Sequence, residues 1–169
     1  VYLVGCEPEL VPTDELAGDA LGFHLVDDRH LVSYVVDVTG HGVPAALLAV
    51  TVMHALKPSG DSASLLRRTF GAKTTGAGPA EVVSELNRRF SAGADDRRFL
   101  TMILGALDTQ TGRMRFARAG HPLPLVLRRG EFIEVSDEGC LPLGIIEDAD
   151  YDEAFVQLDS LYEDATVRT

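Results

Sequence analysis

Asp37 and His41 stand four residues apart in Val35-Val-Asp-Val-Thr-Gly-His-Gly-Val-Pro44. The run leaves an apolar strand at a carboxylate, turns through two glycines around a histidine and enters a helix at a proline. A carboxylate ending a buried strand is costly to desolvate, and a metal ion is the commonest compensation when other carboxylates can reach it. Asp19, in Leu16-Ala-Gly-Asp-Ala-Leu-Gly22, is the acid that could join it. Residues 23–26 and 30–36 are β-rich, and Asp27-Asp28-Arg29 between them has the composition of a hairpin turn. Asp19 and Asp37 lie at comparable distances from that turn, so both carboxylates fall near the open end of the hairpin. Two acids there either repel or share cations, and such hard oxygen donors suit Mg²⁺ or Mn²⁺. A plainer reading stands beside this one: Asp before a turn and Gly within it are common for conformational reasons alone.

Other chemistries find less support. No serine sits in a Gly-x-Ser-x-Gly elbow. Thr39-Gly40-His41-Gly42 lacks the lysine of a phosphate-binding loop. Cys6 and Cys140 are far apart and neither belongs to a Cys-x-x-Cys pair, so both read as lone thiols and zinc is not expected.

The elements that must position the acids follow from patterning. Val1 to Cys6 reads as a first strand, joined to the hairpin by a connection containing Pro8 and Pro12. Val43 to Leu56 is helical, with Pro44 in the first turn, where a missing N–H is harmless. That helix has almost no polar face and is expected to be sandwiched inside the fold. Lys57 to Pro79 reads mostly as a surface loop with a short helix at Ala63 to Phe70. A second helix opens at Pro79, with Val82, Leu86 and Phe90 as its apolar stripe. Phe99 to Leu107, Arg113 to Ala119, Leu123 to Leu127 and Glu131 to Val135 read as strands of an antiparallel meander. A loop at Gly139 to Ile146 tucks Leu141 and Leu143 inward, and Ala154 to Leu158 is a last short strand. Strands before, between and after the helices give an α+β fold of sheets covered by helices.

The 169 residues are expected to form one domain, residues 1–169. A composition of 46% hydrophobic and 24% charged residues is that of a soluble globular protein. The net charge of −11 argues against nucleic acid, which needs a basic face. No stretch approaches the roughly 18 apolar residues of a membrane span, and Val1 to Cys6 has no signal-peptide pattern, so a cytoplasmic location away from membranes is expected.

Five blocks, in order, carry a resemblance. They are Leu16-Ala-Gly-Asp-Ala-Leu-Gly-Phe-His, Val-Asp37-Val-Thr-Gly-His-Gly-Val-Pro-Ala-Ala-Leu-Leu, Phe99-Leu-Thr-Met-Ile-Leu-Gly-Ala-Leu-Asp, Gly112-Arg-Met-Arg-Phe-Ala-Arg-Ala-Gly-His-Pro-Leu-Pro-Leu and Leu141-Pro-Leu-Gly. Together they resemble the bacterial metal-dependent, type 2C-like serine/threonine protein phosphatases of the sporulation stage II protein E branch. The resemblance implies an antiparallel β-sandwich flanked by helices (αββα). It also implies two Mn²⁺ or Mg²⁺ ions roughly 3.5–4 Å apart, with a bridging water that attacks phosphoserine or phosphothreonine as hydroxide. Asp19 matches the acid of the family's Gly-Gly-Asp block, with Ala17 in place of the first glycine. Asp37 matches the acid that bridges both ions, and the Val38 carbonyl matches the backbone ligand. His41 is the nearest candidate to protonate the leaving alkoxide, or it is a histidine that merely orders its loop. His121, in Ala-Gly-His-Pro, also matches a block and is read as structural. His24, His30 and His54 stay unassigned.

The family's later aspartate block is best matched by Asp159-Ser-Leu-Tyr-Glu163, with serine in place of glycine and without the preceding turn and strand. The family's final aspartate has no counterpart, so the domain is expected to be incomplete at its C-terminal end and one metal weakly held. The implied substrate is a phosphoprotein of the anti-sigma-factor antagonist type, with a fused or associated sensor domain. The rival expectation is a catalytically inactive phosphatase-like module that binds a phosphoprotein or partner domain.

Overall fold

A computed structural model describes residues 18–58, 64–70, 77–91, 98–128, 130–158 and 165–168. In chain order the elements are β1 (Asp19–Leu25), β2 (His30–Val38), α1 (Val43–Leu56), α2 (Leu65–Phe70), α3 (Pro79–Ser91), β3 (Leu100–Asp108) and β4 (Arg113–Ala119). Then follow β5 (Leu125–Arg128), β6 (Glu131–Ile133), β7 (Ala154–Gln157) and β8 (Ala165–Arg168). Strands β1-β2-β3-β4-β7 form a five-stranded sheet and β6-β5-β8 a three-stranded one, every ladder antiparallel. The α+β expectation holds. The expected strand at Val1 to Cys6 lies outside the described residues, and β8 has no counterpart among the expected elements.

The first hairpin is made by its turn. Asp27 Oδ1 accepts from the backbone N–H groups of Arg29 and His30, both at 2.7 Å, which folds the chain back on itself. The register that results pairs Leu25 with Leu31 and, at the other end, Asp19 with Asp37. Arg29 then ties the turn to the end of β3 through a two-point ion pair with Asp108.

Alternation sorts the large sheet into two faces. Val32, Tyr34, Val36 and Val38 of β2 and Leu100, Met102 and Leu104 of β3 are buried on one face, in a single cluster with Ala45, Ala49, Val52 and Leu56 of α1 and Val82, Val83 and Leu86 of α3. The other face carries Asp37 and Thr101 at one end and the buried Ile103, Leu107 and Phe116 further along. The smaller sheet contributes the buried Val126 outside the helix-side cluster.

Three expectations are corrected, the first at Leu141, which is 44% exposed while Leu143 of the same loop is buried. Helix α1 is not sandwiched: its small residues press on β1 and β2, while Val43 (58%), Leu47 (62%), Val50 (59%) and Met53 (38%) are exposed. An apolar circumference shows which faces could be buried, and here one sheet supplies a single surface to bury them on. The meander also breaks after β4. Strand β4 pairs with β7, through Phe116 and Ala154, and not with β5. Gly120, at φ 62°, with Pro122 and Pro124 after it, turns the chain out of the ladder, because proline has no N–H to extend it. No helix among the described residues is long and apolar enough to cross a membrane.

Candidate metal centre

Asp19 and Asp37 are direct partners across the β1–β2 ladder, so their side chains leave the same face of the sheet. They are close enough to share a hydrogen bond. Burial, and after it the charge and hydrogen bond of Asp37, hold the Asp19 carboxyl above the usual carboxylate range, with His121 opposing. Thr101 is the partner of Asp37 on β3 and extends the row.

The glycine before Asp19 is required by space. A Cβ at Gly18 would stand 2.8 Å from the Val38 carbonyl oxygen, 3.0 Å from Val38 Cβ and 3.2 Å from Ala45 Cβ. The Val38 N–H donates to the Gly18 carbonyl at 3.3 Å, which holds that close approach. Gly18 thereby brings β1, the carbonyl of Val38 and the first turn of α1 together.

The turn after Val38 is fixed to β3. The Thr39 hydroxyl donates to the Phe99 carbonyl at 2.7 Å, and the Thr39 N–H reaches the same oxygen at 3.1 Å. Gly40 and Gly42 adopt φ 92° and 79°, left-handed conformations that carry the chain from strand to helix. Between them His41 is exposed, at the strand end that bears Asp37.

The structure adds Thr101, Arg118 and Asn87, which the sequence did not single out, and gives His121, read there as structural, a place beside them. Thr101 Oγ1 lies 2.9 Å from His121 Nδ1, which brings His121 to the acid row. Burial pulls the His121 imidazole below its ordinary value, Asp37 and Asp19 push it up, and Arg118 pushes it down. Arg118 donates from Nη1 to the His121 carbonyl at 2.7 Å and from Nε to Asp137 Oδ2 at 2.9 Å. The Ala-Gly-His-Pro block was the available signal for His121. Asn87 is fully buried: it donates to the carbonyls of Ile146 and Glu147, both at 2.7 Å, and accepts from the Gly144 N–H at 2.9 Å. Its signal was position, four residues after Val83 on the buried stripe of α3.

The donor set suits a hard divalent cation. The two ladder-paired carboxylates offer only oxygen, and desolvation and then the charge of Asp37 raise the Asp19 pKa, a like-charge contribution that a cation would relieve. Among the described residues no group of three or more His, Cys, Asp or Glu side chains could hold a metal ion. The expected further ligand, Asp159, lies outside the described residues. Cys140 is a half-buried thiol that donates to the Asp150 carbonyl at 2.9 Å, and Cys6 lies outside the described residues.

The fold has counterparts among solved phosphatase domains of the PP2C type. The structure of the PP2C phosphatase domain of the cell-fate determinant SpoIIE from Bacillus subtilis superposes with a TM-score of 0.67 at 20% identity, covering 85% of this chain and 39% of that one. The chain belongs to the Stage II sporulation protein E (SpoIIE) family, whose model matches residues 27–161. It is also similar to the phosphoserine phosphatases RsbU (28% identical over 144 residues) and RsbP (27% over 143), both from Bacillus subtilis strain 168. These alignments cover 83% and 82% of this chain but only 38% and 32% of the relatives, so the chain spans about a third of their length.

Proposed function

We propose that this chain is a phosphatase domain that hydrolyses phosphoserine or phosphothreonine on a regulatory protein, of the anti-sigma-factor antagonist type, in a metal-dependent reaction. The single observation that carries the reading is the register pairing of Asp19 with Asp37 on one face of the sheet. Asp19, Asp37 and the Val38 carbonyl would hold Mn²⁺ or Mg²⁺, and Asp159 is the acid we assign to complete the set. Bound there, two such ions would neutralise phosphoryl charge and lower the pKa of a water to make it a nucleophile at neutral pH.

The chain's own residues do the rest. The Asp19–Asp37 pairing is set by strand register, so the two backbones need not move when the cation arrives. Thr39, bound to Phe99, fixes the turn that carries His41, and His41 protonates the departing serine or threonine oxygen. Exposure of Asp19, Asp37 and His41 leaves the site open to a protein-borne phosphoryl group.

The test is phosphate release from a phosphoserine peptide with and without Mn²⁺. Release is expected to need Mn²⁺, to stop with EDTA and to fall by about 10²–10³-fold in Asp37→Asn. Activity unchanged in Asp37→Asn overturns the reading, and calorimetry that detects no Mn²⁺ uptake dependent on Asp19 and Asp37 leaves the inactive binding module in its place.

A further inference from the structure

We propose that His121 contacts the substrate phosphoryl group, donating a hydrogen bond from Nε2, and that Thr101, Arg118 and Asp137 are its positioning residues. The inference rests on the phosphatase reading above and assigns a second imidazole to the same site, with a role distinct from that of His41.

His121 is fixed from four sides. Gly120 donates its N–H to the Cys140 carbonyl at 2.9 Å and adopts φ 62°, which turns the following residue out of the β-ladder. A Cβ on Gly120 would stand 2.6 Å from Pro142 Cγ, so the Leu141-Pro142 loop holds the bend from outside. Arg118 donates from Nη1 to the His121 carbonyl at 2.7 Å and from Nε and Nη2 to Asp137 in a two-point pair. The ring itself is held at Nδ1 by Thr101 at 2.9 Å.

The Thr101 anchor ties the ring to the row of acids. Thr101 is the ladder partner of Asp37, which is the partner of Asp19, so the three form one row across β1, β2 and β3. His121 hangs from the end of that row. The charges bearing on its ring are Asp37, Arg118 and Asp19. In the tautomer the proposal requires, Nδ1 accepts from the Thr101 hydroxyl and the neutral ring carries its proton on Nε2, the donor left for a ligand. The Arg118 side chain is 17% exposed and is engaged with Asp137 and with the His121 carbonyl, which makes it a support for the histidine. A fixed N–H aimed where negative charge builds on the equatorial oxygens is a recurrent source of rate in phosphoryl transfer.

The experiment uses the full chain and two readouts. With Mn²⁺ and a phosphoserine peptide, His121→Ala is expected to lower kcat by about 10²-fold while Mn²⁺ uptake and Tm stay as in the parent. His121→Gln, whose amide N–H can reach toward the same oxygen, is expected to recover part of that loss, and Thr101→Val to lose about tenfold through the loosened ring. In parallel, inorganic phosphate is titrated into the parent with Mg²⁺, and the His121 Nε2 resonance is expected to shift by NMR, but not in Asp37→Asn. A His121→Ala kcat within threefold of an active parent overturns the proposal. If the parent releases no phosphate, the phosphatase reading fails and the NMR arm decides: a phosphate-dependent Nε2 shift supports the contact, and its absence overturns it. Should His121→Ala not fold, His121→Gln and the parent's NMR signal carry the same decision.

Discussion

Asp19 and Asp37 meet as ladder partners across β1 and β2, two carboxyls held side by side by strand register. Such a pair is a standing cost to the fold at neutral pH. The hairpin turn at Asp27 fixes the register from the far end, so the acids have no way to slide apart. A cation between the two carboxylates would relieve their repulsion.

The repulsion has a measurable sign. The folded pKa of Asp19 lies above its unfolded value, so the folded state binds its proton more tightly. The stability this gives is fully present below the ordinary value of 3.8 and is lost as pH rises through the folded value. In EDTA at pH 7, Asp19→Asn is expected to melt about 1–3 °C above the parent, with the gap closing on acidification toward 3.8. Saturating Mn²⁺ is expected to reverse the order, because only the parent pair gains from the cation. Thermal melts across pH, with and without the metal, check both signs.

Gly18 separates space from conformation as a reason for glycine. With the Val38 carbonyl oxygen 2.8 Å from where its Cβ would lie, Gly18→Ala must push β1 from β2 or tilt α1. A loss of about 1–3 kcal/mol in urea unfolding is expected, together with weaker Mn²⁺ binding. Gly42→Ala meets nothing within 4 Å and is penalised only by its φ of 79°, by about 1–2 kcal/mol.

Asp137 reports on the support of His121. The Arg118 guanidinium holds the Asp137 carboxyl below the usual range, against the opposing effect of burial. A depressed folded pKa gives stability that is present above the unfolded value, near 3.8, and is lost as pH falls through the folded one. Asp137→Asn is therefore expected to cost about 1.5–3 kcal/mol at pH 7, and the difference from the parent to shrink as pH drops below about 4. Urea titrations of both proteins at several pH values measure it.

The frame of the site was readable because it rests on local rules. Asp27-Asp28-Arg29 gives the turn, the turn gives the register, and the register brings Asp19 to Asp37. The support around His121 was not readable in the same way: Thr101, Arg118, Asp137 and Cys140 are brought together by pairing between strands and by the loop that bridges Leu143 to Leu100. No short spacing encodes that convergence. Asn87 was half legible, since its place on an apolar stripe marked a polar group that must be satisfied, but its three loop partners are almost sixty residues away. The meander failed at Gly120 for a related reason: a strand can be read from its own pattern, but the edge it joins cannot.

Helix α1 carries the sharpest test of the corrected fold. Its sequence is apolar on every side, yet only the line through Ala45, Ala49, Val52 and Leu56 presses on the sheet. Small residues on that line set the distance between helix and strands, and through Ala45 they also set the space at Gly18. Ala49 is 3% exposed, so Ala49→Leu has no room and is expected to cost about 1–3 kcal/mol. Leu47 is 62% exposed on the outer line, so Leu47→Glu is expected to change stability by no more than about 0.5 kcal/mol. If α1 were sandwiched, the ranking would invert, since a buried carboxylate without a partner is far costlier than the three carbons Ala49→Leu adds. Urea unfolding of the two variants decides between the geometries, and a Leu47→Glu variant more damaged than Ala49→Leu would return α1 to the interior.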